Sequence, residues 1–172
     1  LIFWKMPEGA AANTSPLPAA VRCLAMSPDG KLLASAGEDM AIQLWDVATG
    51  KPGAKLVDHK DWINCVAFSG DGKQLASGSL DGTIRIWDVA SAKKTAQLPA
   101  PPMPAPKVPV DPIPYTSIAF APDGKTVAAG TQDGPIQFLT IADGKTVRTL
   151  PGHTAPPTAL LFHPAGAVMV TV

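Results

Sequence analysis

No charge of either sign prevails in this sequence. Its 14 lysines and arginines balance its 14 aspartates and glutamates and are scattered along the chain, so the basic stripe that marks a nucleic-acid surface is missing. No apolar run approaches the ~20 residues that a membrane-spanning helix requires, and no membrane partner is expected. The two cysteines are Cys23 and Cys65, and the three histidines, His59, His153 and His163, sit on three separate stretches. That spacing offers no metal-ligand set. A glycine-rich phosphate cradle and a nucleophile elbow are also missing. No cofactor, no metal and no catalytic residue are expected from this sequence.

Repetition is what it has instead. Trp45 and Trp87 lie 42 residues apart, as do Gly30 and Gly72, and Gly124 and Gly166; Trp4 lies 41 before Trp45. A fixed period of this size marks an architecture of stacked units, none of which buries its apolar faces alone. The best-formed copy runs from His59 to Asp88, HKDWINCVAFSGDGKQLASGSLDGTIRIWD. Within it, Ile63, Cys65 and Ala67 alternate with Asn64, Val66 and Phe68, and Ile84 and Ile86 alternate with Arg85 and Trp87. A period of two indicates strands, and strands apolar on both faces are covered on both faces. Gly70-Asp71-Gly72 and Asp81-Gly82 supply the left-handed residues that tight hairpins need.

With its preceding histidine and closing Trp-Asp pair, this block resembles a WD repeat, one blade of a β-propeller. The resemblance implies an all-β fold of four-stranded antiparallel blades. It also implies a buried relay of Trp87, Ser77, His59 and Asp81, in which each polar group satisfies the next. A Ser, a His and an Asp also suit a hydrolase, but Ser77 falls in mid-strand and buried, which argues against that use.

Taken in order, residues 1–20 read as the end of a preceding blade, since Leu1-Ile2-Phe3-Trp4-Lys5 matches Ile42 to Asp46. Residues 21–57 form a blade in which Ser35, Asp39 and Trp45 match relay positions, while no histidine precedes it. Residues 58–98 are the complete blade. Residues 99–114 hold eight prolines, which cannot donate to a ladder, and read as a stiff exposed loop. Residues 115–150 keep the blade pattern but place Ala129 and Leu139 where Ser77 and Trp87 stand. Residues 151–172 start a blade at Gly152-His153 and stop after Thr171, the relay hydroxyl position. The whole reads as an open, partial propeller cut from a longer protein. Cys23 and Cys65 occupy equivalent sites, matched by Ser117 and Ala159, which indicates a small buried residue rather than a disulfide.

The resemblance implies a non-catalytic scaffold that binds a protein or peptide on one face of the disc. The residues expected there are Trp62, Asn64 and Leu80, with Arg22 and Glu38 from the preceding blade and Thr116 and Gln132 from the next. Trp62 is the expected anchor, because a large exposed aromatic serves binding rather than a core. The alternative is a propeller segment of a larger bacterial multidomain enzyme, associated with a kinase, protease or cytochrome, whose chemistry lies outside this sequence. The open blade edges imply self-association. No signal peptide opens the sequence, which is uninformative in a fragment; the compartment is left open, with a cytoplasmic setting favoured.

Overall fold

In the computed structural model, residues 1–5, 8–99, 115–163, 166 and 168–172 are described. The expected proline loop, Pro99 apart, lies outside them. The chain is all-β, and among the described residues no helix is long and apolar enough to cross a membrane. Three four-stranded antiparallel sheets sit between two strand pairs. The first pair is β1 (Ile2–Lys5) with β2 (Ala10–Thr14). Next comes the sheet β3 (Val21–Met26), β4 (Leu32–Gly37), β5 (Ala41–Asp46), β6 (Pro52–Val57). The central sheet is β7 (Ile63–Phe68), β8 (Gln74–Ser79), β9 (Ile84–Asp88), β10 (Lys93–Leu98). The third is β11 (Tyr115–Phe120), β12 (Thr126–Thr131), β13 (Ile136–Thr140), β14 (Thr146–Leu150). The second pair is β15 (Leu160–Phe162) with β16 (Met169–Thr171).

The strands pair in chain order, as a hairpin meander does. The first strands of successive sheets pack side by side, β3 on β7, β7 on β11 and β11 on β15, which gives the blades of a partial propeller. Three apolar cores fill the spaces between sheets. Ile42, Leu44, Leu56, Ile63, Val66 and Trp87 lie between the first and central sheets. Ile84, Ile86, Leu98, Tyr115, Ile118 and Leu139 belong to the core between the central and third sheets. Ala119, Ala128, Ile136 and Leu160 begin the next. Each core is thus shared by two copies of the repeat, as in architectures whose units do not bury their apolar faces alone.

Two local devices set the geometry. In the turn between second and third strands the backbone is left-handed, at Gly82 (φ 79°) and Gly134 (φ 101°), but also at Met40 (φ 59°). And at Gly78 the next blade's first strand comes so close that a Cβ would lie 2.7 Å from Cys65 Sγ and 2.9 Å from Tyr115 Cβ.

Candidate functional site

The structure brings His59, Ser77, Asp81 and Trp87 together. Trp87 Nε1 donates to Ser77 Oγ at 2.9 Å, and His59 Nε2 lies 2.7 Å from the same oxygen. The ionised Asp81 carboxylate only accepts, so His59 Nδ1 carries the imidazole proton and donates it to Asp81 Oδ2 at 2.8 Å. Nε2 of the neutral ring then accepts from the Ser77 hydroxyl, whose oxygen takes the indole proton. Asp81 also accepts from the Lys60 N–H (2.9 Å), the Thr83 N–H (2.9 Å) and the Thr83 hydroxyl (2.6 Å). Burial pushes the imidazole below its ordinary range, outweighing the hydrogen bond and charge of Asp81. Burial works against the Asp81 charge too, but its donors hold the carboxyl down to about 2. The neutral histidine is thus held between a buried serine and a carboxylate that several donors already satisfy, with Ser77 fully enclosed.

One member of this cluster is not apparent from the repeat pattern. Arg85 is buried on β9, its Nη1 2.9 Å from Asp58 Oδ2 and its Nη2 3.5 Å from Asp81 Oδ2. Lys94 Nζ meets the same Asp58 oxygen at 2.5 Å, and that hydrogen bond is the main cause of the lowered Asp58 pKa. The contact of Nη1 is ionic, off hydrogen-bonding direction, and Nε makes no hydrogen bond. A buried guanidinium tolerates this because two carboxylates flank it. The available signal is the charged residue between Ile84 and Ile86 on an otherwise apolar strand.

The other sheets carry parts of the relay. Trp45 Nε1 donates to Ser35 Oγ at 2.8 Å, with Asp39 paired to Lys55 Nζ at 3.1 Å. Ala129 and Leu139 replace polar partners with buried apolar ones, so nothing polar is stranded there. His153 Nε2 lies 2.7 Å from Thr171 Oγ1.

The residues expected on the partner face fall around the start of the first strands. The first strand of each four-stranded sheet is bulged at its entry. Val21 pairs Gly37 and Cys23 pairs Ala36; Ile63 pairs Ser79 and Cys65 pairs Gly78; Tyr115 pairs Thr131 and Ser117 pairs Gly130. Arg22, Asn64 and Thr116 are the extra residues of these bulges, outside the ladder, a placement that re-aims a side chain. With Leu80 they line a cavity of about 420 Å³. Arg22 Nε donates to Asn64 Oδ1 at 2.9 Å, its Nη1 lies 3.5 Å from Glu38, and its guanidinium carbon lies 5.2 Å from the centre of the Trp62 ring. Trp62 is 38% exposed.

Two of these side chains are less available than expected. Leu80 is half-buried rather than exposed, because its N–H closes the turn onto Trp62 O at 2.9 Å. The Thr116 hydroxyl is spent inside the fold, on Pro157 O at 2.7 Å. Gln132 is exposed and is not part of the cavity lining.

The two thiols serve the seams between blades. Cys23 Sγ donates to Ala36 O (3.7 Å) and to Ile63 O of the next sheet (3.8 Å). Cys65 does the same to Gly78 O (3.9 Å) and Tyr115 O (3.8 Å), and Ser117 Oγ donates to Pro157 O at 2.8 Å. Both cysteines are free. Among the described residues no group of three or more His, Cys, Asp or Glu is placed to hold a metal ion.

Comparison with known proteins follows the same lines. Residues 14–46, 50–88, 111–134 and 144–172 match the family model described as WD domain, G-beta repeat. The chain is similar to two proteins called nuclear distribution protein nudF. One, from Aspergillus niger, is 34% identical over 144 residues, 84% of this chain and 25% of the relative. The other, from Emericella nidulans, is 34% identical over 152 residues, 88% of this chain and 27% of the relative. The chain spans about a quarter of the length of these curated relatives.

Proposed function

The chain belongs to the WD-repeat family, and from that premise we propose that it is a non-catalytic scaffold holding a protein or peptide partner at the bulged mouth of its first strands. The observation that carries this reading is the fixing of Arg22. Its exposed guanidinium is steered by Asn64 and Glu38 and lies against the face of Trp62, joining two blades. The ion pair with Glu38 is half-exposed and worth little as stability. Its value is orientation, since a side chain already ordered loses less freedom on binding. An exposed tryptophan with an arginine stacked on it is also the composition of a binding hot spot. Trp62 is the anchor of the proposed surface. Arg22, Glu38 and Asn64 give it polar contacts, and Leu80 and Thr116 give it a wall.

The experiment uses the full-length protein and a partner recovered with it by pull-down. Trp62→Ala is expected to weaken that partner's binding by at least about 2 kcal/mol while the melting curve stays nearly unchanged. Binding that survives, with a fall in melting temperature, makes Trp62 a packing residue and overturns the reading.

A further inference from the structure

The first four-stranded sheet contains a cavity. It encloses about 180 Å³, and its lining includes Leu17, Ser35, Asp39, Trp45 and Lys55. Leu17 stands 42 residues before His59, in the position of the relay histidine. Ser35, Asp39 and Trp45 stand where Ser77, Asp81 and Trp87 do. The cavity therefore occupies the place that the central sheet fills with an imidazole ring.

We propose that this cavity is a binding site for an imidazole group, held between the Ser35 hydroxyl and the Asp39 carboxylate. Three observations support it. First, Ser35 is 2% exposed and accepts the Trp45 indole proton at 2.8 Å. No described acceptor takes its own proton, whereas the matching Ser77 proton goes to His59 Nε2. A buried donor without an acceptor is the kind of group that a ligand satisfies. Second, Asp39 has the Lys55 ammonium at 3.1 Å and the Ala41 N–H at 3.4 Å. It lacks the imidazole donor that Asp81 receives at 2.8 Å. Third, the volume suffices, since a cavity of about 150 Å³ is large enough for benzene. What distinguishes this one from an apolar void is a donor at one end and a carboxylate at the other. A neutral imidazole accepts at one nitrogen and donates at the other, and one such ring spans the same two positions in the next sheet. The exposed Pro16, Pro18, Pro52 and Lys55 form the rim through which the group enters. The site is separate from the bulged mouth and does not rest on the scaffold reading.

The test is a titration of the full chain with imidazole, at a pH well above its ordinary pKa of about 6.5. The signal followed is the Trp45 indole N–H resonance, with thermal melting alongside. A saturable shift is expected, with a Kd on the order of millimolar for so small a ligand. Blocking the ring donor, as in 1-methylimidazole, or removing both polar ends, as in benzene, should weaken binding about tenfold or more. Ser35→Ala should do the same. N-acetylhistidinamide separates the two sources of the group: equal binding identifies a presented histidine side chain, and binding of imidazole alone identifies a free heterocycle. Leu17→His supplies the ring covalently, and should raise the melting temperature and abolish the imidazole shift. The proposal is overturned if Trp45 shows no saturable shift, if benzene or 1-methylimidazole binds as well as imidazole, or if Leu17→His still binds it.

Discussion

Met40 holds a left-handed backbone at a turn where the next two blades use Gly82 and Gly134. An L-residue in that conformation costs roughly 1–2 kcal/mol, and Met40 is exposed, with little packing to lose. Met40→Gly is therefore expected to raise stability by about 1 kcal/mol, since part of the relieved strain is offset by the freer unfolded chain; a urea titration measures it. The relay predicts a loss instead. His59→Ala leaves Ser77 and Asp81 without their partner and should cost about 1–3 kcal/mol in the same titration. Ser35→Ala, in a sheet with no histidine, should cost less. Equal losses would contradict the relay argument. The pH dependence has a definite sign. The folded pKa of His59 lies below its ordinary 6.5, so between the two values the unfolded chain binds the proton and stability rises with pH. Acidification through 6.5 therefore weakens the fold. A second loss follows as pH falls from the ordinary aspartate value of 3.8 toward the Asp81 value of about 2. In His59→Ala the first of these losses should vanish from melting temperatures taken across pH. All four relay members are legible in the sequence because the period repeats them. Arg85 is not, because its meaning depends on Asp58, which only folding places beside it.

At the scale of the element, the strands were readable to the degree that they are buried. The second strands are buried almost throughout, and their alternation and flanking turns stand out. The fourth strands are exposed at most positions, with Leu56 and Leu98 buried at or next to the last residue. A strand at the outer edge needs few apolar residues and uses lysines instead, so its pattern is faint. The seams between blades were less legible still. Cys65 looks like a small core residue in sequence, and only the packed sheets show its thiol reaching Tyr115 O. Burial raises the Cys23 thiol to about 12 and pushes Cys65 up as well. Neither forms the reactive thiolate at neutral pH. Ellman's reagent should find no fast-reacting thiol in the native chain and two after denaturation; rapid native labelling would show that the seams are open. Gly78 probes the same seam. Gly78→Ala drives a methyl group into Cys65 and Tyr115 and should cost about 1–3 kcal/mol, read from a denaturant midpoint.

On the scale of the whole molecule, the cores lie between blades, so a strand without a complete neighbouring blade keeps apolar surface that another copy or further blades would cover. Leu24 and Met26 on β3 are 52% and 54% exposed, and Leu161 on β15 is 67% exposed. Patches of this kind drive association. The isolated chain is expected to self-associate with rising concentration in sedimentation velocity, and Leu161→Lys with Val170→Lys should shift it toward monomer. A monomer at all concentrations would mean that these faces are covered within one chain.

The bulges have a further consequence. Arg22, Asn64 and Thr116 take no part in the ladder that registers their own strands. The chemistry of the mouth is thereby set apart from the grammar of the fold: each four-stranded blade contributes one letter that its own ladder does not spell. A row of such positions, one per blade, lets a single architecture diversify its vocabulary without relearning how to fold.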